Sequence, residues 1–140
     1  DDVESRGLGD VYKRQIADKL DLRRVTNSSK KTLRKFNLRY EIRTIEGEPQ
    51  RFVIYFKMDV YNTAAFKLKI EYAAIFKTSE DINMDFLTSH FTKINAPAIA
   101  YPYLRSYVSF ICLNSGLEPA ILPTINFIEF SKENFSEENN

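Results

Sequence analysis

The middle of the chain alternates apolar and polar residues in three consecutive runs, and this pattern constrains the fold more than any other feature. The runs cover residues 36–43, 52–60 and 66–76, and turn-forming residues at 46–49 and 62–63 separate them. A two-residue period places successive side chains on opposite faces of a β-strand. We therefore predict three strands in an antiparallel meander with one buried face. That face would carry Phe36, Leu38, Tyr40, Ile42, Phe52, Ile54, Phe56, Met58, Val60, Phe66, Leu68, Ile70, Tyr72, Ala74 and Phe76.

The second half of the chain has helical spacing. Residues 81–94 indicate one helix, and Asn95 followed by Ala96 and Pro97 indicates the start of a second, which should end at Gly116. Residues 120–130 are predicted to be extended because two prolines punctuate them. Residues 16–25 fit the end of a strand or a short helix.

The segment 98–112 is apolar around its whole circumference, and Arg105 is its single charged residue. A helix that is apolar on every face must be buried on every face, and a three-stranded sheet covers one side only. The segment is too short to span a membrane. We expect a second subunit to cover the other side, with an oligomer interface at Tyr103, Tyr107 and Phe110. The alternative is burial by residues 120–130 of the same chain.

Composition limits the classes of protein. The chain has 140 residues, enough for one domain, and its 20 basic and 19 acidic residues nearly cancel. This balance predicts neither a nucleic acid nor a membrane as a partner. The single cysteine, Cys112, cannot form an internal disulfide, which favours a buried thiol and a cytoplasmic location.

We interpret the first fifteen residues as a segment of artificial origin. Residues 5–15 back-translate in one reading frame into a DNA adapter that is widely used in transposase-based sequencing libraries. We therefore expect residues 1–15 to be an adapter artefact and disordered, and at most a remnant of a fourth strand to follow them. The alternative is a native polar leader. The folded domain would then cover residues 16–130, and the acidic residues 131–140 would form a disordered polar tail.

Catalytic and metal sites find little support in the sequence. His90 is the only histidine, and no cysteine cluster accompanies it, so a metal site is not expected. A triad of His90, Ser89 and Asp85 would need a geometry that sequence neighbours rarely adopt. The basic residues between 30 and 43 are expected to lie on a solvated strand face. We therefore predict no enzyme activity and no cofactor, and no ATP site is evident.

Several short motifs resemble those of the SecB family of export chaperones. Residues 101–105, YPYLR, are similar to the Phe-Pro-Tyr-Ala-Arg helix start of that family, and residues 121–127, ILPTINF, to its Leu-Ala-Pro-Val-Asn-Phe segment. Residues 73–76, AAIF, stand where the family usually has Gly-Gly-Ile-Phe, and His90 and Pro97 also match. The order and spacing of these motifs, over residues 52–130, carry the resemblance.

The resemblance implies an α+β fold, in which two C-terminal helices pack on one face of a four-stranded antiparallel sheet. It also implies a homotetramer built as a dimer of dimers, which binds unfolded precursor polypeptides for export and delivers them to the SecA motor. One departure concerns SecA, because the family members that dock SecA carry an acidic residue where this chain has Lys69. Some members instead protect antitoxins of toxin–antitoxin systems. A purely structural, self-associating domain is the alternative from another class.

The capture mechanism expected from these features is hydrophobic. Extended client segments would lie in grooves between helices and sheet, held by apolar side chains and by strand edges. The break between the two helices is rich in apolar residues, and we predict a client groove there. Its lining would comprise Leu87, Phe91, Ile94, Ile99 and Tyr101. Release would depend on handover to a partner rather than on ATP.

Overall fold

A computed structural model describes residues 12–25, 34–62, 66–118 and 122–136 of the chain. Four strands come first: β1 (Tyr12–Arg24), β2 (Arg34–Ile45), β3 (Glu48–Asn62) and β4 (Phe66–Lys77). A short helix α1 (Met84–Leu87) and a π-helical turn (Phe91–Asn95) lead into the long helix α2 (Ala96–Asn114). A last helix, α3, spans Phe127–Ser136. This α+β architecture confirms the predicted fold class.

The sheet is antiparallel throughout, in the order β1-β4-β3-β2. Strands β2, β3 and β4 form the predicted meander, and β1 pairs with β4 at the far edge. On one face of the sheet, Tyr40 lies opposite Phe56, which in turn lies opposite Tyr72. All three side chains are buried, so the predicted inner face is confirmed. Only its outermost residues on β2, Phe36 and Ile42, are partly exposed.

Helix α2 covers this inner face with one row of residues spaced four apart. Ala96, Ala100, Leu104, Val108 and Cys112 are all fully buried. A four-residue step keeps side chains on one side of an α-helix, and the small alanines allow a close approach to the sheet. Cys112 is thus the buried thiol that the sequence predicts.

The predicted start and end of this helix are confirmed. Pro97 lies in its first turn, where a missing N–H costs nothing. Gly116 follows the end of the helix with φ +76°, a backbone conformation that glycine adopts without strain. Pro102 lies inside α2, in its second turn, and is exposed.

The N-terminal prediction needs correction. The expected disorder of residues 1–15 is wrong for residues 12–15, which belong to β1, and that strand has 13 residues rather than a remnant. The physical reason is that ladder hydrogen bonds join backbone groups, so a strand can extend wherever a partner edge continues, and Tyr12 still has Phe76 opposite it. Residues 1–11 lie outside the described part, and the adapter origin of residues 5–15 stays a prediction.

The C-terminal predictions also need correction. The expected disordered tail at 131–140 is wrong for residues 131–136, and the expected extended segment is wrong for residues 127–130, because α3 covers both. The Asn126 side chain accepts a hydrogen bond from the Ile128 N–H at 3.0 Å, as a helix cap does. The aromatic rings of Phe127 and Phe130 then pack on Tyr40. Residues 137–140 lie outside the described part.

The helix predicted at residues 81–94 is interrupted. Only α1 and the π-helical turn form there, separated at Thr88 and Ser89. The hydroxyls of Thr88 and Ser89 donate to the backbone carbonyls of Met84 and Phe86 at 2.9 and 2.6 Å. Such side-chain hydrogen bonds compete with those of a regular helix.

Candidate functional site

A partly apolar cavity lies between the β2–β3 hairpin and α1, and we call it the hairpin cavity. It has a volume of about 290 Å³, and its lining combines apolar residues with polar ones, namely Ile45, Pro49, Ile82, Met84 and Leu87 with Thr44, Glu48, Arg51 and Asn83. This volume is at the small end of the range for ligand pockets, enough for one or two side chains. Met84 is 70% exposed, so the cavity opens to solvent beside a flexible apolar side chain.

The local backbone explains why this cavity forms. The register of β2 and β3 shifts between Thr44 and Ile45, which opens the hairpin at its end. The Ile82 N–H donates to the Pro49 carbonyl at 2.8 Å and fixes the incoming segment beside the hairpin. The Asn83 side chain then accepts from the Phe86 N–H at 2.8 Å and caps α1.

Of the five predicted client-binding residues, Leu87 is the one that lines the hairpin cavity. Phe91, Ile94 and Ile99 are half-buried and pack against the main core. The Phe91 ring lies 5.8 Å from that of Phe86, which continues the apolar surface inward from the cavity. The structure therefore brings Leu87 into a pocket and leaves the other three with partial exposure.

Tyr101, the fifth predicted client-binding residue, belongs to the core rather than to an accessible surface. It is 3% exposed, and its hydroxyl donates to the Pro123 carbonyl at 2.7 Å. Its ring lies 5.7 Å from that of Phe127 on α3. Burial raises the pKa of Tyr101 to about 12. Sequence reasoning placed this residue in the groove because it did not foresee α3.

The outward side of α2 carries an exposed apolar stripe. Tyr103 and Phe110, two of the three predicted interface residues, are both exposed, and Leu113 continues the stripe one turn later at 64% exposure. Tyr107 instead packs against the sheet, with its ring 5.6 Å from that of Tyr72. Sequence reasoning missed Leu113 and Met84, although the three-residue step from Phe110 to Leu113 was a readable signal. Within the part of the chain that the structure describes, which includes residues 122–130 of the alternative segment, nothing buries this stripe.

Helix α3 packs beside the free edge of β2 and covers it at Tyr40. The Asn134 side chain accepts from the Tyr40 N–H at 3.0 Å and donates to the Tyr40 carbonyl at 2.8 Å. It thus occupies the backbone groups that a neighbouring strand would use. The Tyr40 ring contacts four aromatic rings, and its hydroxyl donates to the Lys93 carbonyl at 2.5 Å. Burial raises the pKa of Tyr40 well above its usual value.

The outer face of the sheet carries a hydrogen-bonded cluster around Tyr55. Its hydroxyl donates to Asp18, and the Arg43 guanidinium lies 3.7 Å from the centre of its ring. Burial, followed by the hydrogen bond to Asp18, raises the pKa of Tyr55 to about 12. Partial burial opposes ionisation of Glu41, but hydrogen bonds from Arg43 and Lys57 outweigh it and lower the pKa of that carboxyl.

The residues weighed for catalysis do not form a triad. Asp85 and His90 are exposed, and the Ser89 hydroxyl donates to the Phe86 carbonyl. In the described part of the chain, no three His, Cys, Asp or Glu side chains are grouped so that they could hold a metal ion. No helix among the described residues is both long and apolar enough to cross a membrane.

Comparisons with known proteins agree with this architecture. The family model described as preprotein translocase subunit SecB matches residues 21–138. The uncharacterized protein MJ0357 of Methanocaldococcus jannaschii is 31% identical over 110 residues, which cover 75% of this chain and 70% of that protein. A solved structure of the Mycobacterium tuberculosis SecB-like chaperone Rv1957, in complex with a ChAD peptide from the antitoxin HigA1, aligns with a TM-score of 0.66. The alignment covers 89% of this chain and 98% of that one at 15% identity, so it shows a shared fold.

Proposed function

The chain belongs to the SecB family, and from that premise we propose that it is an ATP-independent holdase chaperone. It would bind extended segments of unfolded polypeptides and would catalyse no reaction. The single observation that carries this proposal is the hairpin cavity, a partly apolar pocket that opens to solvent beside the exposed Met84. A concave site with apolar walls and a few polar groups is the usual form of a binding pocket.

Capture would proceed by many weak apolar contacts. A client side chain would enter the hairpin cavity and contact Leu87, Ile82 and Ile45. Neighbouring client residues would follow the half-buried surface formed by Phe91, Ile94 and Ile99. Because ordering a client costs entropy at every residue held, each contact is individually modest and the sum determines affinity. Release would follow from handover to a partner.

The experiment that tests capture replaces Met84 and Leu87 together with serine. We expect the double variant to lose most of its ability to suppress aggregation of chemically unfolded proteins, because two apolar walls of the cavity become polar. Ile128→Ser is the matched control, since Ile128 is exposed on α3 away from the cavity and should keep full suppression. Equal suppression by all three proteins, with folded circular-dichroism spectra, would remove the hairpin cavity from the mechanism. No suppression by the unmodified chain would favour the alternative of a purely self-associating domain.

We further propose that the chain assembles through α2 into a homo-oligomer, a dimer of dimers. The support is the stripe of Tyr103, Phe110 and Leu113, which the chain leaves exposed. Three large apolar side chains in line on one helix are typical of an interface core. Tyr107 would lie at the margin of this interface, because its ring also packs on the sheet.

Two classes of client remain as candidates. Export precursors follow from the family, and an antitoxin follows from the M. tuberculosis relative, which holds an antitoxin peptide. Lys69 at the position of the acidic SecA-docking residue favours the antitoxin client, because a lysine there would repel a basic docking partner. Titration of the chain with an unfolded precursor and with an antitoxin's unfolded segment distinguishes them. Tighter binding of the antitoxin segment, in competition, is the expected result for the second candidate.

A further inference from the structure

We propose that the outer face of the sheet is a docking surface for an acidic polypeptide segment in extended conformation. This face looks away from α2 and from the hairpin cavity, so the inference goes beyond capture of clients. It is defined by the residues that alternate with the buried ones along the four strands. A cleft of about 570 Å³ crosses it from edge to edge, with walls from all four strands.

Charge is distributed unevenly between this face and the rest of the chain. The described outer-face side chains include eleven basic and five acidic residues. The whole chain has a net charge of +1, so the positive excess of the outer face is balanced by a negative excess elsewhere. The basic residues are Arg14, Lys19, Arg23, Lys35, Arg39, Arg43, Arg51, Lys57, Lys67, Lys69 and Lys77, and the acidic ones are Asp18, Asp21, Glu41, Asp59 and Glu71.

Part of this positive charge is already engaged within the sheet. Lys19 pairs with Glu71 at 3.3 Å, and Arg43 and Lys57 share Glu41 at 2.8 and 3.2 Å. Arg23 also pairs with Asp21 at 3.1 Å and Arg51 with Glu48 at 3.3 Å, so five of the eleven basic side chains are engaged in ion pairs.

Six basic side chains of the outer face make no ion pair with another described residue, namely Arg14, Lys35, Arg39, Lys67, Lys69 and Lys77. Three of them lie in or next to the cleft, and the Nζ of Lys67 also lies 4.9 Å from the centre of the Tyr61 ring. Among the described residues, no carboxylate oxygen lies within 4.0 Å of the charged groups of Arg39, Lys67 or Lys69, all of which are exposed. Arg39 and Lys69 line the cleft itself, on β2 and β4 respectively. The cleft therefore presents basic groups without an ion pair from two strands that are separated by β3, and Lys69 lies between Asp21 and Asp59 of the neighbouring strands.

The spacing of these groups suits an extended acidic segment. Lys67 and Lys69 are two residues apart on one face of β4, which is about 6.8 Å along the strand. An extended peptide repeats its side chains on one side at the same interval, so carboxylates at alternate positions would meet both lysines. Arg39 would contact a third carboxylate through its planar, two-pronged guanidinium.

The carboxylates inside the cleft disfavour nucleic acid as the occupant. Asp21, Asp59 and Glu71 line it alongside the basic groups. Duplex DNA carries one negative charge per about 1.7 Å and could not avoid these carboxylates, whereas a peptide can place neutral residues opposite them. A flat anionic membrane surface would not reach the groups inside a cleft.

Fluorescence anisotropy tests the proposal with a labelled ten-residue peptide of alternating Glu and Thr. The control peptide has Gln in place of Glu. We expect the full chain to bind the Glu peptide at low salt and to bind it more weakly at about 0.3 M salt. We expect no binding of the Gln peptide. Lys69→Glu should weaken binding by about fivefold or more. Lys132→Glu, the same charge change on an exposed lysine of α3, should leave it unchanged.

The outcomes that overturn the proposal are distinct. They are absence of binding at millimolar peptide, equal binding of the two peptides, or equal weakening by Lys69→Glu and Lys132→Glu. Tighter, Lys69-dependent binding of a DNA duplex or of anionic phospholipid vesicles would assign the face to those partners instead. Aggregation suppression by the Lys69→Glu protein should be normal, which separates this surface from the proposed holdase activity.

Discussion

Replacing Asn134 with alanine should weaken the attachment of α3 to the free edge of β2. The Asn134 carboxamide makes two hydrogen bonds to the backbone of Tyr40, and the two residues are 94 positions apart in sequence. Alanine removes both bonds and leaves the N–H and carbonyl of Tyr40 without these partners. The aromatic contacts of Phe127, Phe130 and Phe135 with the Tyr40 ring remain available in the variant.

The magnitude follows from the number of bonds. An intramolecular hydrogen bond contributes about 0.5–1.5 kcal/mol net, so the loss of two should lower the free energy of unfolding by about 2 kcal/mol. Asn134→Leu keeps a side chain of similar size but cannot hydrogen-bond. It should cost at least as much, because it also shields the Tyr40 backbone groups from water.

Urea unfolding followed by circular dichroism measures the effect, and amide hydrogen exchange at Tyr40 reports on the edge itself. Lys132→Ala on the same helix is the matched control, since its ion pair with Glu129 is well exposed and should change stability by less than about 0.5 kcal/mol. The reasoning fails if Asn134→Ala unfolds like the control with unchanged protection at Tyr40. It also fails if Asn134→Leu is as stable as the unmodified chain, because packing rather than hydrogen bonding would then hold α3.

Two further predictions concern assembly and pH. Phe110→Glu should reduce the molecular mass measured by sedimentation, because it places a charge in the middle of the exposed α2 stripe. Ile128→Glu on α3 is the control and should leave that mass unchanged. Equal masses for both variants would exclude the stripe as the interface. At high pH the free energy of unfolding should fall, because Tyr101 has a pKa of about 12 in the folded chain and about 10 when unfolded. Its contribution is complete below pH 10, where both states are protonated, and is lost between about pH 10 and 12 as the unfolded state ionises. Urea unfolding from pH 8 to 11.5 should show that the free energy of unfolding falls less steeply with pH in Tyr101→Phe than in the unmodified chain. Equal slopes for the two proteins would contradict this linkage.

Much of the sheet could be predicted from local patterns. The two-residue alternation through Phe56 and Ile70 assigned the buried face of three strands, because an antiparallel sheet with one solvated face imposes that period on each strand separately. Local signals also located α2, because its start at Pro97 and its end at Gly116 depend on the backbone chemistry of those residues. The candidate site was predicted less well, since Leu87 lines a cavity but Tyr101 is buried.

The sequence by itself therefore determined the strands β2 to β4, the long helix and the apolar character of its outward side, because short-range periodicity encodes each of them. Tertiary structure alone decided that β1 pairs with β4 and that α3 returns to β2. Both depend on contacts between residues far apart in the chain. Asn134 has no periodic or motif signal, and its role exists only because folding brings the free backbone groups of Tyr40 within hydrogen-bond distance. The burial of Tyr101 has the same cause, since Phe127 reaches it only after α3 has packed.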